Sequence, residues 1–152
     1  MGADTVTLRA IGPADRAVWT PLWRAYLAFY DTVLPTDAYD AAFAQLLSDD
    51  PAAFRGFLAW RGDTALGLVH YVMHPHMWQP AGTCYLQDLY TAPEARGQGI
   101  ARRLIDAVSA AAKTQGVASV YWMTQQDNAT ARRLYDRVGT LTPFIKYMRT
   151  LP

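Results

Sequence analysis

Cysteine, net charge and long apolar runs are all scarce in this sequence, and each shortage excludes a class of protein. Cys84 is the single cysteine among 152 residues, so no internal disulfide can form, which fits a reducing compartment. The formal net charge of +1 lacks the basic excess of a dedicated nucleic-acid binder. No apolar run approaches the roughly 18 residues that a membrane span needs, and Met1 to Thr5 lack the basic and apolar regions of a signal peptide. We therefore expect a cytoplasmic protein that binds neither nucleic acid nor membranes.

The composition that remains is typical of a folded domain. Hydrophobic residues make up 51% of the chain and charged residues 18%, while glycine and proline are near average, so long disorder is not expected. A chain of this length buries roughly 68–70% of the surface that it exposes when unfolded, enough for a core. No internal repeat or linker is apparent. We expect a single domain over residues 1–152.

The periodicity of apolar residues changes along the chain between alternating and helical spacing, which indicates an α/β protein. The predicted order is β-α-α-β-β-β-α-β-α-β. A loop rich in proline and glycine is predicted over 74–82. Strands are predicted at 6–10, 55–60, 65–73, 84–91, 117–124 and 143–151, and helices at 15–30, about 39–47, 99–115 and 128–138.

A glycine-rich segment lies between a predicted strand and the clearest predicted helix, and it predicts an anion-binding site. The first N–H groups of a helix have no internal partners, and the helix dipole adds partial positive charge there. Gly97 and Gly99 let the backbone approach a ligand closely and allow positive φ angles. Arg96 can add a charge-assisted contact to a phosphate.

Three anion-binding motifs compete for this segment. The P-loop string G-x-x-x-x-G-K-[ST] is not in the sequence. The dinucleotide fingerprint would place Arg102 at its third small position, and the acidic residue expected after the next strand is missing over 121–125. The pattern that remains is [R/Q]-x-x-G-x-[G/A], which Arg96, Gly99 and Ala101 fill.

This pattern resembles the coenzyme A pyrophosphate loop of the GNAT (GCN5-related) N-acetyltransferases. The segment from Tyr85 to Pro93 precedes it as the coenzyme-binding strand does in that family, and Asn128-x-x-Ala131-x-x-Leu134-Tyr135-x-x-x-Gly139 follows at the spacing of the family's last helix. Tyr121-Trp122-Met123-Thr124 is similar to the Hpa2-like and spermidine/spermine acetyltransferase-like branch. The specific motifs cover residues 84–148, and only the order of elements matches over the first 80 residues.

The resemblance implies a fold, a coenzyme site and an assembly. The implied fold is a mixed, mostly antiparallel central sheet, splayed in the middle and flanked by about four helices. Acetyl-CoA is the implied co-substrate, with no metal, and a homodimer through the C-terminal strand is the implied assembly. The implied coenzyme contacts are the strand backbone of Leu89, Tyr90 and Thr91, the loop Arg96, Gly97, Gln98, Gly99, Ile100 and Ala101, and the helix start at Asn128, Ala129, Thr130 and Ala131.

The resemblance also implies acetyl transfer to a primary amine by direct attack in a ternary complex. The acceptor could be a small amine or polyamine, an amino-acid-like metabolite or a protein lysine. A lysine-like amine has a pKa of about 10.4, so a base must remove its proton, directly or through water. Tyr135 matches the family tyrosine that acts as acid toward the leaving thiolate, and the backbone N–H of Leu89 is a plausible donor to the oxyanion.

The base is left open among three candidates. In polyamine-type relatives a Glu often stands where this chain has Gln87, and glutamine cannot take a proton at neutral pH. Asp88 is adjacent, but on a regular strand it points to the opposite face, so a bulge would be needed to bring it to the substrate. Deprotonation through water is the third candidate. Candidate substrate contacts are Gln87 together with Tyr30 and Asp31, which lie at the loop that covers the acceptor in related enzymes.

Two histidines, the cysteine and Gln87 allow other interpretations. His74 and His76 form too small a set for a metal site and are interpreted as loop histidines, and Cys84 is interpreted as a buried structural cysteine. Gln87 also favours a second hypothesis, a non-catalytic module that binds coenzyme A and regulates. A nucleotide-binding Rossmann-type domain is a third hypothesis.

Overall fold

The computed structural model of the protein describes residues 5–152. The expectation that the N-terminus is not a signal peptide rests on Met1 to Thr5, and Met1 to Asp4 lie outside the described residues. Short 3₁₀ turns at Pro13–Asp15 and Pro93–Ala95 precede the first and third helices. The elements are β1 (Val6–Ala10), α1 (Arg16–Phe29), α2 (Thr36–Leu46), β2 (Arg55–Arg61), β3 (Thr64–His76), β4 (Gln79–Thr91), α3 (Ile100–Thr114), β5 (Val120–Tyr121) and α4 (Ala129–Val138).

The five strands form one sheet in the order β1-β2-β3-β4-β5. The first four strands pair antiparallel with their neighbours, and β5 pairs parallel to β4. This confirms the predicted mixed, mostly antiparallel sheet with four flanking helices. Among residues 5–152, no helix combines the length and the apolar character needed to cross a bilayer.

Each face of the sheet carries its own hydrophobic core. On one face, α3 contributes Leu104, Ile105 and Val108 at helical spacing, and these side chains are almost completely buried. On the other face, α1 and α2 bring Trp19 and Phe43 against the sheet, and Trp19 is completely buried. Since a fully buried aromatic side chain stabilises the fold by roughly 2–3 kcal/mol, the two cores fix both helical layers on the strands between them.

A bulge in the middle of β4 adds one residue to the strand. His70 of β3 pairs with Asp88, and the next residue, Tyr71, pairs with Leu86, so Gln87 has no partner in β3. Leu86 therefore faces the α3 core, while Asp88 faces α1 and α2. On a regular strand, Gln87 and Asp88 would point to opposite faces. This bulge is what allows Asp88 to face the same region as Gln87.

The predicted loop over 74–82 is wrong in most of its length, because β3 and β4 extend into it and pair His76 with Gln79. Pro75 lies at an irregularity of the ladder, where its missing N–H costs no inter-strand bond. Gly82 allows the strands to approach, since a Cβ there would lie 2.6 Å from the carbonyl oxygen of His74. Proline and glycine here mark a distorted hairpin.

The prediction of a last strand over 143–151 is also wrong, since residues 139–152 contain no strand and their side chains are exposed. The apolar pattern is present, but a strand needs a neighbour, and this segment pairs with no strand among residues 5–152. The predicted strand over 117–124 is shorter than expected, because only Val120–Tyr121 runs beside β4.

Candidate active site

The loop between Arg96 and α3 has the geometry of an anion-binding helix start. Gly97 and Gly99 have φ angles of 75° and 77°, a conformation that favours glycine. The first helical bond joins the N–H of Arg103 to the carbonyl oxygen of Gly99, so the preceding N–H groups of the first turn have no intrahelical partner. A Cβ placed on either glycine would meet nothing within 4 Å, which leaves open space for a ligand against this backbone. The predicted segment Gly97 to Ala101 therefore fits a phosphate group.

Side chains of the loop hold it against the sheet. Gln98 accepts a hydrogen bond of 2.6 Å from Arg61 at the end of β2 and donates one of 3.2 Å to the carbonyl of Glu94. Arg96 donates to the carbonyl of Thr91 at 3.3 Å. Ile100 is buried under the helix start. The loop is thus anchored at both sides while its glycines stay open.

The sheet opens between β4 and β5 next to this loop. Their pairing covers two register positions, Cys84 with Val120 and Tyr85 with Tyr121. Within the described residues, the edge of β4 from Leu86 onward has no strand partner on this side, and the segment Leu89–Thr91 lies on that edge. This is the predicted splay, and a free edge of this kind can pair with an extended amide-containing ligand.

The start of α4 is organised by Asn128. Its Oδ1 accepts a hydrogen bond of 3.3 Å from the N–H of Ala131, and its Nδ2 donates to the hydroxyl of Thr124 at 3.3 Å. The oxygen of Asn128 therefore caps the helix, while the amide group retains a second N–H. Ala129 and Thr130 form the exposed first turn.

Asp88 is a buried carboxylate on the face that α1 covers. It is 6% exposed, and its Oδ2 lies 2.8 Å from Nδ1 of His70 and 3.2 Å from Nε1 of Trp23. Tyr26 lies close enough for the negative charge of Asp88 to add to burial in raising the pKa of its phenol. A buried charge costs several kcal/mol unless it is paired and hydrogen-bonded, so the donors of His70 and Trp23 are what allow Asp88 to be there.

Tyrosines extend from Asp88 towards α4. Burial, followed by the negative charge of Asp88, raises the pKa of both Tyr26 and Tyr30. Burial, followed by the neighbouring Tyr30, raises the pKa of Tyr135 to about 12. Tyr30 therefore lies within electrostatic reach of both Asp88 and Tyr135, and the structure brings these predicted residues to one region.

Gln87 and Asp88 share a cavity of about 190 Å³ between α2 and the sheet, which Trp23, Phe54 and His70 also line. A larger cavity of about 410 Å³ lies between α1 and α2 and contains none of the predicted site residues. The smaller cavity is therefore the one that contains predicted site residues.

Asp31, a predicted substrate contact, lies outside this cavity. It is exposed, with a φ angle of 52° in the turn that ends α1. His74 hydrogen-bonds the hydroxyl of Tyr121 at 2.8 Å, and the Tyr121 ring stacks on Tyr85 with centroids 4.8 Å apart. His74 therefore contacts Tyr121, which packs on Tyr85, and His74 is not among the residues that line the cavity at Asp88.

His76 and Cys84, the two other residues that the sequence analysis considered, have structural surroundings. His76 accepts a hydrogen bond from the backbone of Trp78, and over residues 5–152 no three or more potential ligands gather around a metal position. Cys84 is completely buried, and burial raises the pKa of its thiol to about 11.

Sequence reasoning missed His70 and Tyr85 as members of the site. Burial, followed by the neighbouring Tyr121 and then by the negative charge of Asp88, raises the pKa of Tyr85. The available signal for His70 was one polar residue inside the apolar run from Leu66 to Val72. That signal does not identify a partner, because Asp88 is 18 positions away in the sequence.

Comparison with known proteins shows the family. The family model described as "Acetyltransferase (GNAT) family" matches residues 19–140. The D-amino-acid N-acetyltransferase HPA3 of Saccharomyces cerevisiae is 34% identical over 148 residues, which are 96% of this chain and 91% of the yeast protein. This relative supports the predicted Hpa2-like branch.

Solved structures agree with the fold. The aminoglycoside acetyltransferase AAC(6')-Iy in complex with a CoA-linked bisubstrate analogue superposes with a TM-score of 0.86 at 18% identity, over 98% of this chain and all of that one. A ribosomal-protein-alanine N-acetyltransferase from Brucella melitensis superposes with a TM-score of 0.77 at 20% identity, over 97% and 100% of the two chains. The chain belongs to the GNAT family and is an acyl-CoA-dependent N-acetyltransferase.

Proposed function

We propose that the single domain over residues 1–152 transfers the acetyl group of acetyl-CoA to the primary amine of an amino-acid-like metabolite. The observation that carries this proposal is the buried carboxylate of Asp88, which lies among tyrosines beside the open edge of β4. Acetyl-CoA supplies the activated acetyl group as a thioester. The residues of this chain bind it, hold the amine and manage the protons.

The coenzyme would lie along the splayed edge and the glycine loop. The N–H groups at the start of α3, with Arg96, would hold its pyrophosphate, as the open space at Gly97 and Gly99 allows. The backbone of Leu89–Thr91 would pair with the amides of the pantetheine arm. Ala129, Thr130 and Ala131 would line the arm from the other side, with the remaining N–H of Asn128 directed to it.

The acceptor amine would enter between the tyrosines and Asp88. An ammonium group is attracted both by a carboxylate and by the faces of aromatic rings. In the described part of the chain, one carboxylate lies in the cavity, and Asp31 is exposed outside it. One buried negative charge matches an acceptor with one ammonium group better than a polyamine.

The proton of the amine would pass to Asp88, directly or through a water molecule. An ammonium group has no lone pair, so one proton must leave before attack, to Asp88 or to water, and this step is uphill because a carboxylate is a much weaker base than an amine. The free amine then attacks the thioester carbon, and the attached nitrogen, now positively charged, loses a second and more acidic proton to solvent through Asp88 or water. Gln87 cannot replace Asp88 as the base. In the described geometry it lines the cavity and can hydrogen-bond the acceptor.

The departing sulfur would be met by Tyr135. A pKa of about 12 for this phenol, against about 8.5 for a thiol, makes full proton transfer uphill by roughly 5 kcal/mol. Tyr135 would therefore stabilise the thiolate by a hydrogen bond as the C–S bond breaks and the C–N bond forms. The thiolate would take its proton later, from solvent.

The class of acceptor is supported by the yeast relative, whose name records acetylation of D-amino acids. The test is a thiol-release assay with acetyl-CoA against D-amino acids, L-amino acids, lysine peptides, spermidine and neamine. We expect turnover that is highest with amino acids, and a loss of at least about 100-fold in kcat/KM for Asp88→Asn. Asp63→Asn, in the exposed turn between β2 and β3, is the matched control.

Two outcomes would redirect the assignment. Turnover restricted to spermidine or neamine would place the acceptor among polycations. Acetyl-CoA binding without turnover on any amine would favour the non-catalytic module that Gln87 suggests.

A further inference from the structure

The mechanism above gives no role to His70, although this residue makes two hydrogen bonds at the site. His70 lies directly opposite Asp88 in the ladder between β3 and β4 and is 5% exposed. Its Nε2 lies 2.9 Å from Nε1 of Trp19, and its Nδ1 lies 2.8 Å from Oδ2 of Asp88.

These two contacts determine where the imidazole carries its proton. An indole N–H can only donate a hydrogen bond, so Nε2 of His70 must accept from Trp19 and carries no proton. The neutral ring then carries its hydrogen on Nδ1, which donates to Asp88. A proton on Nε2 would face the indole N–H directly, so Trp19 disfavours the Nε2–H tautomer.

The same contacts determine which oxygen of Asp88 is available. Oδ2 accepts from both His70 and Trp23, and two donors fill the lone-pair sites of one carboxylate oxygen. A further donor, such as an ammonium group or a water molecule, must therefore be accepted by Oδ1. The plane of the carboxylate is fixed by groups on two different elements, β3 and α1.

We propose that His70 is a positioning residue that orients the Asp88 carboxylate, and that Trp19 holds His70 in the neutral Nδ1–H form. His70 exchanges no proton in this arrangement. The inference rests on the proposed function for the role of Asp88 as base. The titratable groups that face the pair are Tyr26 from α1, Tyr30 directly after α1, and Tyr85 from β4. Tyr39 of α2 packs against Trp19 and Trp23.

Two substitutions separate orientation from mere packing. In His70→Asn the side-chain amide takes the place of Nδ1 and can still donate to Asp88, whereas in His70→Gln it takes the place of Nε2 and cannot. We expect His70→Asn to keep kcat/KM within about threefold of the wild type. His70→Gln should lose at least about tenfold, mainly in kcat and with little change in KM, because the carboxylate is no longer held in one orientation. Equal losses of kcat in the two variants would overturn the proposal.

A spectroscopic readout tests the proposal without any turnover. The chain has three histidines, so the ¹⁵N signals of His70 can be assigned by their loss in His70→Asn. We expect the neutral Nδ1–H tautomer in the wild type, because Nε2 accepts from Trp19 and Nδ1 donates to Asp88. A wild-type His70 in the Nε2–H form would overturn the inference even if amines are acetylated. Conversely, the expected tautomer in a protein that acetylates no amine would leave the His70 arrangement standing while the proposed function fails.

Discussion

Nη2 of Arg61 lies 2.6 Å from Oε1 of Gln98, and this contact ties the end of β2 to the loop that precedes α3. The two residues are 37 positions apart in the sequence, so the contact exists only when the sheet and the loop have both formed. It holds the loop without occupying the space beside its glycines.

This contact predicts a coupled effect on coenzyme binding. Arg61→Ala and Gln98→Ala should each weaken acetyl-CoA binding by about three- to fivefold, since an exposed hydrogen bond to a charged group contributes on the order of 1 kcal/mol. The double variant should be no weaker than Gln98→Ala alone, because Gln98→Ala already removes the bond to Arg61 together with the bond to Glu94. Calorimetric titration measures all four proteins, and additive losses would contradict the shared contact.

The glycine at the start of α3 should be essential for coenzyme binding. Gly99→Glu puts a carboxylate into the space proposed for the pyrophosphate, and we expect acetyl-CoA binding to fall by more than about 100-fold. Gly116→Glu is the matched control, since Gly116 has a φ angle of 79° and the same open surroundings at the other end of α3. The control carries its new charge at the unfavourable end of the helix dipole, so it should be the less stable variant and still bind. Equal binding losses in both would point to folding instead.

Tyr135 should matter for the chemical step and little for binding. Tyr135→Phe keeps the ring against Trp122, where the centroids are 5.6 Å apart, and removes only the hydroxyl. We expect kcat to fall by roughly 100-fold, with the Kd of acetyl-CoA unchanged within about twofold. Tyr71→Phe removes a buried phenol packed in the core on the α3 face and should leave kcat near the wild-type value. A normal kcat in Tyr135→Phe would assign the thiolate contact to another group.

Cys84 predicts a fall in stability at alkaline pH. Burial raises the pKa of its thiol to about 11 in the folded chain, whereas an unfolded chain releases this proton near pH 8.5. The stability that the neutral thiol contributes is therefore complete below about pH 8.5 and is lost as the pH rises towards 11. Urea unfolding at pH 8 and pH 10.5 should show a larger fall in midpoint for the wild type than for Cys84→Ala. The buried tyrosines act in both proteins, so an equal fall would exclude Cys84 as a contributor.

The C-terminal segment should mediate the homodimer that we propose from the resemblance. Six large apolar side chains between Leu141 and Leu151 are at least 73% exposed in the single chain, among them Phe144 and Ile145. Isolated chains rarely expose so many in one segment. We expect sedimentation to show a dimer, and Phe144→Asp combined with Ile145→Asp to give a monomer. Val33→Asp, at another exposed apolar position, is the control. A wild-type monomer would remove the proposed assembly.

Local signals explain which elements the sequence could predict. The glycine loop and α3 were placed within one residue, because helix start, helical spacing and C-terminal glycine all lie within one short segment. The strand predicted over 143–151 failed for the opposite reason, since pairing depends on a partner that the segment itself does not specify.

The site shows the same limit at the level of single side chains. Asp88 and Tyr135 could be named from motifs, but the bulge that directs Asp88 depends on the register with β3. His70 could not be identified from the sequence, because its hydrogen-bond partners Trp19 and Asp88 lie on other elements, and Trp19 is 51 positions away. Hydrogen-bonded groups that come together only in the folded chain produce no recognisable spacing pattern in the sequence.

The bulge in β4 adds a residue that the pairing of the strands does not use. Leu86 pairs with Tyr71 and Asp88 with His70, so a chain lacking Gln87 would retain both pairs in a regular ladder. Leu86 would still face the α3 core and Asp88 the side of α1 and α2. The strand is therefore one residue longer than its pairing requires, and that residue lines the cavity. Neither the sheet nor the core depends on the side chain at position 87, so we expect substitutions there to change the acceptor preference without changing the fold.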